Sequence, residues 1–125
     1  MAKKRVLIAD DLSFFRIALR DILEHGGFEV VGEAVNGAEA LSMARSLAPD
    51  IVILDIVMPV MTGIDAAKEI SLLNMPLKIV MCSSLGYEPI VNEAMRSGAC
   101  AYILKPLTEE AVLHALGNLD SEEPG

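Results

Sequence analysis

A chain of 125 residues, 53% hydrophobic and 22% charged, is sized for one domain with a real core, which excludes a disordered or fibrous protein. Its formal net charge of -8 argues against a nucleic-acid binder, because phosphate contacts need clustered Lys and Arg. The acidic balance suits partners with basic patches, or a hard metal cation.

In chain order, apolar and β-branched runs alternate with segments of helical character. The first strand is expected at Arg5–Ala9, with too few apolar residues before Asp10-Asp11 to form a signal-peptide core. No segment approaches the length of a membrane span, so no membrane insertion is expected. Ser13–His25 reads as a helix with apolar positions at Phe14, Ile17, Ala18, Ile22 and Leu23, stopped by Gly26-Gly27. A short strand at Glu29–Val31 follows, then a helix over Asn36–Leu47. Ile51–Leu54 is the third strand, and Ile64–Leu73 the third helix. Lys78–Cys82 is the fourth strand, and Pro89–Ser97 a helix that begins with a proline suited to its first turn. The last pair is a strand at Ala101–Leu104 and a helix from Thr108, its N-cap, to about Gly117. Cys82 and Cys100 form no CxxC pair and read as small apolar side chains in a reducing cytoplasm.

Several strands are apolar without alternation, which indicates a parallel sheet covered on both faces. The order (βα)5 predicts an α/β, flavodoxin-like, doubly wound five-stranded sheet of strand order 2-1-3-4-5. One domain is expected over 4–119, followed by a polar tail over 120–125. The start at Met and the absence of a linker favour a stand-alone protein.

Ligands in such sheets bind at the carboxyl ends of the strands. Those ends carry Asp10 and Asp11, then Asp55, then Ser83 and Ser84, then Lys105-Pro106. The second strand ends at Gly32-Glu33 without an obvious ligand. Taken singly, an Asp at a strand end is a cap or turn former, Ser83 a loop hydroxyl and Lys105 a surface charge. Together they should converge on one rim. Three carboxylates against one ammonium call for a divalent cation, and an all-oxygen set points to Mg²⁺ or Mn²⁺ rather than zinc. A carboxylate there is also able to act as a nucleophile towards phosphorus. No P-loop or GxGxxG is present to hold a nucleotide.

The motifs IADD (Ile8–Asp11), LDIVMP (Leu54–Pro59) with Thr62-Gly63, CSS (Cys82–Ser84) and YILKP (Tyr102–Pro106) are each short, but their order and spacing are specific. In these the chain resembles the receiver domain of two-component response regulators, and the pattern CSSLGYEPIVNEAMRSGA over 82–99 looks most like the single-domain chemotaxis type. The resemblance implies that Asp55 is the phosphoacceptor and that Asp11 holds Mg²⁺ directly. Asp10 would act mainly through water, and the Val57 carbonyl would be a further ligand. It implies that Ser83 is the switch hydroxyl, that Lys105 pairs with the phosphoryl group across a cis bond to Pro106, and that Tyr102 is the aromatic switch residue. The implied donor is a sensor histidine kinase, and the implied output is the face of the fourth helix, fifth strand and fifth helix. Leu85 and Tyr87 are candidate contacts there, and the flagellar motor switch is the implied target. The chain would be monomeric when unphosphorylated, and not an enzyme beyond catalysing its own phosphorylation and dephosphorylation. The positions two past Asp55 and two past Ser83 influence hydrolysis in the family. Here they are the apolar Val57 and Leu85, so slow self-dephosphorylation is expected. The alternatives are a receiver module of another two-component pathway, or a phosphate sink for a kinase, which would look the same in sequence. A haloacid-dehalogenase-type phosphatase is the rival chemistry, but it needs a DxD on the first strand where this chain has adjacent acids.

Overall fold

The computed structural model describes residues 3–121. Five strands alternate with five helices: β1 (Arg5–Ala9), α1 (Ser13–His25), β2 (Glu29–Ala34), α2 (Gly37–Leu47), β3 (Ile51–Leu54), α3 (Gly63–Ser71), β4 (Lys78–Ser83), α4 (Glu88–Arg96), β5 (Ala99–Leu104) and α5 (Glu109–Ser121). The sheet is parallel throughout, in the order β2-β1-β3-β4-β5. This is the flavodoxin-like order expected from the sequence.

Successive strand side chains point to opposite faces, so a strand buried on both sides divides its residues between two cores. Leu7, Ala9, Val52, Leu54, Ile79 and Met81 pack with α2, α3 and α4. Val6, Ile8, Ile51, Ile53, Val80 and Cys82 pack with α1 and α5, against Leu19, Leu23, Val112 and Leu116. Each such large aliphatic side chain contributes about 1.5–3 kcal/mol on burial. Among the described residues no helix is long and apolar enough to cross a membrane.

Local chemistry sets the helix ends. Asn36 accepts from the Glu39 amide, Thr62 from Asp65, and Thr108 from Ala111. Asn36 is therefore the cap of α2 and not its first residue. Three further expectations need correction. The second strand continues past Val31 to Ala34, because Gly32 has no Cβ to meet Met43 and Leu47 of α2, whose atoms lie within 2.9 Å of that position. On α1 the buried face is Leu19 and Leu23, whereas Phe14 is 73% and Ile17 67% exposed. Positions 14 and 17 lie on a different stripe from 15, 19, 22 and 23. The last helix runs beyond Gly117 through Ser121, two residues into the expected tail; positions 122–125 of that tail lie outside the described residues.

Candidate functional site: an acidic cluster with one lysine

The strand ends meet where β1 and β3, neighbours in the sheet, both stop. Their register pairs Ala9 with Leu54, so Asp10 and Asp55 are the next residues of each. Oxygens of Asp10, Asp11 and Asp55 all lie within 4.8 Å of one another. Asp10 and Asp55 are buried, whereas Asp11 is exposed. Lys105, delivered by the end of β5, places Nζ 2.8 Å from Asp10 Oδ2 and 3.5 Å from Asp55 Oδ2. The lysine thus pairs more tightly with Asp10 than with Asp55. Its peptide bond to Pro106 is cis.

Both oxygens of Asp10 are engaged, Oδ1 by the Leu12 amide at 3.0 Å and Oδ2 by Lys105. Asp55 Oδ1 accepts from the Ile56 amide at 2.8 Å. Among the described residues no hydrogen bond or ion pair holds the Asp11 side chain. Burial, followed by repulsion from Asp10, raises the Asp55 pKa to about 6, with Lys105 acting in the opposite direction.

Three carboxylates and one ammonium leave an excess of two negative charges, which a divalent ion would neutralise. The donors are all oxygen, which fits Mg²⁺ or Mn²⁺ and not zinc. This is the one His, Cys, Asp and Glu grouping of metal-binding geometry among the described residues, so His25, His114 and the cysteines form no rival site. Both cysteines are free, and burial pushes the Cys82 thiol up to about 12, out of reach of thiolate chemistry.

Ser83, at the end of β4, is 1% exposed, and its Oγ accepts from the Leu85 amide at 3.2 Å. The Tyr102 hydroxyl donates to the Leu85 carbonyl, so the main chain of Leu85 is tied on one side to Ser83 and on the other to Tyr102. Tyr102 and Leu85 are half-buried against the α2–α4 core, while Tyr87 is 60% and Val57 61% exposed. Of the two candidate contact residues in this loop, then, Tyr87 faces solvent and Leu85 largely packs.

Four features of the site escaped sequence reasoning. The Phe15 ring lies under Lys105, with Nζ 3.6 Å from its centroid, a cation–π contact. Gly63 sits so close to the Asp55 backbone that a Cβ would come 1.9 Å from its carbonyl oxygen, which explains the glycine in Thr62-Gly63. Val60, 83% exposed, has φ +70°, a left-handed conformation that a β-branched residue rarely adopts. Finally, Glu33 accepts from both Arg16 and Arg20. Only the glycine left a readable signal in the sequence; the others depend on contacts between distant segments.

A family model for the response regulator receiver domain matches residues 6–117. The chain is 47% identical over 116 residues to chemotaxis protein CheY of Thermotoga maritima, covering 93% of this chain and 97% of that one. It is 45% identical over 112 residues to chemotaxis protein CheY of Bacillus subtilis, covering 90% and 93%. Among solved structures, the CheX-CheY-BeF3-Mg+2 complex from Borrelia burgdorferi matches with a TM-score of 0.90 and 34% identity, over 94% of this chain and 89% of that one. The sheet order, the acid cluster beside Lys105 and these matches place the chain in the response regulator receiver domain family, the CheY-like phosphorylation switches of two-component systems.

Proposed function

We propose that Asp55 is the phosphoacceptor and that the chain takes its phosphoryl group from a phosphohistidine of a sensor histidine kinase. The observation that carries this reading is the meeting of three carboxylates within 4.8 Å beneath a single ammonium. Asp55 presents Oδ2 beside Lys105 while Oδ1 is fixed by the Ile56 amide, so its attacking direction is set before a donor arrives. Lys105 is placed to neutralise charge on the incoming phosphoryl oxygens. Asp11 would hold the divalent cation directly, with the Val57 carbonyl as a further ligand, and Asp10 would act through water, since both its oxygens are engaged. When bound, the cation supplies charge neutralisation and orientation of the phosphoryl group.

Phosphorylation adds negative charge and acceptor oxygens next to Ser83, the switch hydroxyl. Because Ser83 and Tyr102 both tie the Leu85 main chain, moving the serine changes the setting of the tyrosine and of the loop leading into α4. The α4–β5–α5 face, with Tyr87, Met95 and Leu104 exposed, is the output surface in this reading. Its target is a chemotaxis partner such as the flagellar motor switch, a choice supported by the names of the relatives. The receiver unit spans 4–119 and works in the cytoplasm as a monomer until phosphorylated.

The test is labelling with a small phosphodonor in the presence and absence of Mg²⁺. The parent protein should label only with metal, and Asp55→Asn should not label. Labelling that persists in Asp55→Asn, or that needs no metal, would sink the assignment. Binding to flagellar switch protein that is unaffected by a beryllofluoride phosphoryl mimic would sink the proposed output.

A further inference from the structure

The strand–helix junction that carries the two adjacent acids is held by more than its own turn. Arg16 and Arg20 lie four residues apart, on one side of α1. Glu33 lies on β2, in register with Ile8 of β1. Its two oxygens are shared between the arginines, Oε1 with Arg16 Nε at 3.1 Å and Oε2 with Arg20 Nε at 2.7 Å. With Nε committed to Glu33, Arg16 turns Nη1 onto the Asp10 carbonyl at 2.8 Å. The Arg16 side chain is 17% exposed and Glu33 29%, so this contact is better shielded than an ordinary surface pair.

The consequence lies in the peptide that joins Asp10 to Asp11. The Asp10 amide donates to the Ala34 carbonyl at 3.1 Å, and its own carbonyl is taken by Arg16. Both ends of the Asp10 main chain are thereby tied to β2, one directly and one through Arg16 and Glu33. The peptide plane leading to Asp11 cannot turn without breaking the arginine contact. Asp11 has no side-chain partner of its own among the described residues, so this backbone plane alone fixes the direction in which its Cα–Cβ bond leaves the chain, and with it the region its carboxylate can reach.

We propose that Arg16, oriented by Glu33, is a positioning residue for the cation site: it pins the Asp10–Asp11 peptide and so aims the Asp11 carboxylate. The proposal rests on the reading of Asp11 as a direct metal ligand. It carries an unusual sign. Arg16 is positive, so by Coulomb's law alone its removal should tighten cation binding. Positioning demands the reverse, and residues that orient metal ligands typically change affinity by about 10–100-fold.

The experiment titrates the metal-free protein with Mn²⁺ alone, following the free ion by electron paramagnetic resonance. It is run at a temperature where circular dichroism shows every variant folded. Arg16→Gln should raise the Kd by about tenfold. Arg16→Lys keeps the charge but not the planar fork that serves a carbonyl and a carboxylate together, and should also weaken binding several-fold. In the Arg16→Gln background, Glu33→Gln should add little, because its partner is gone. A Kd that is unchanged or tighter in both Arg16 variants would overturn the proposal while leaving the metal site intact. Asp11→Asn is the control on the underlying reading: binding unaffected by that change would overturn both. Should Arg16→Gln fail to fold, Arg16→Lys decides alone, since it alters no charge.

Discussion

Asp55 is expected to cost the metal-free protein stability at neutral pH. Its pKa is raised from the ordinary 3.8 to about 6, first by burial and then by Asp10. Between those values the folded state holds a proton that the unfolded chain has released. Stability is therefore highest, with respect to this group, below pH about 4, and it falls as pH rises towards 6. Above that the full penalty applies. The shift corresponds to about 3 kcal/mol at full ionisation. The site opens to solvent at the sheet rim, so about half of this, ~1.5 kcal/mol, is a fair expectation. Asp55→Asn keeps the shape and an acceptor for the Ile56 amide but carries no charge. With a chelator present, the variant should be more stable than the parent by ~1.5 kcal/mol at pH 7.5, the gain fading to near zero by pH 4. Urea denaturation at several pH values measures this directly. Adding Mg²⁺ should shrink the gain, since it stabilises the parent by mass action. A variant less stable than the parent at pH 7.5, or a difference that ignores pH, would refute the argument.

Other expectations follow from single contacts. Gly63→Ala should cost about 2–3 kcal/mol and slow phosphorylation, because its Cβ would meet the Asp55 carbonyl; an unchanged thermal midpoint would contradict this. Val60→Gly should stabilise by about 1 kcal/mol by relieving a left-handed valine, and denaturant midpoints would reveal the opposite sign if the strain is imaginary. Tyr102→Phe removes the bond to the Leu85 carbonyl and should cost about 1 kcal/mol. It should also speed hydrogen exchange in the segment 84–88, and unchanged exchange there would count against the coupling of Tyr102 to that loop. Val57→Asn with Leu85→Glu should shorten the half-life of phospho-Asp55 by supplying groups that orient a water, measured after the phosphodonor is removed. An unaltered half-life would end that idea.

The unbroken apolar runs were enough to indicate a parallel sheet covered on both faces. Runs such as Val6–Ala9 and Ile51–Leu54 bury every residue, which only a two-sided environment rewards. The strand-end acids, Ser83 and Lys105 were legible too, because the carboxyl ends of parallel strands share one rim. Local pattern could not say which side of α1 is buried, since Phe14 and Ile17 are as apolar as Leu19 and Leu23, and only docking against β1 and α5 chooses between them. Nor could it give Glu33 a role, because its partners Arg16 and Arg20 lie on another element and each looks like surface charge in isolation. Lys105 and Asp10 are 95 residues apart, and Phe15 joins them from a third segment. Sequence pattern marks the buried strands and the polar groups at their ends; distances of 2.8 and 3.5 Å between groups at the ends of separate strands exist only once the sheet has brought them together.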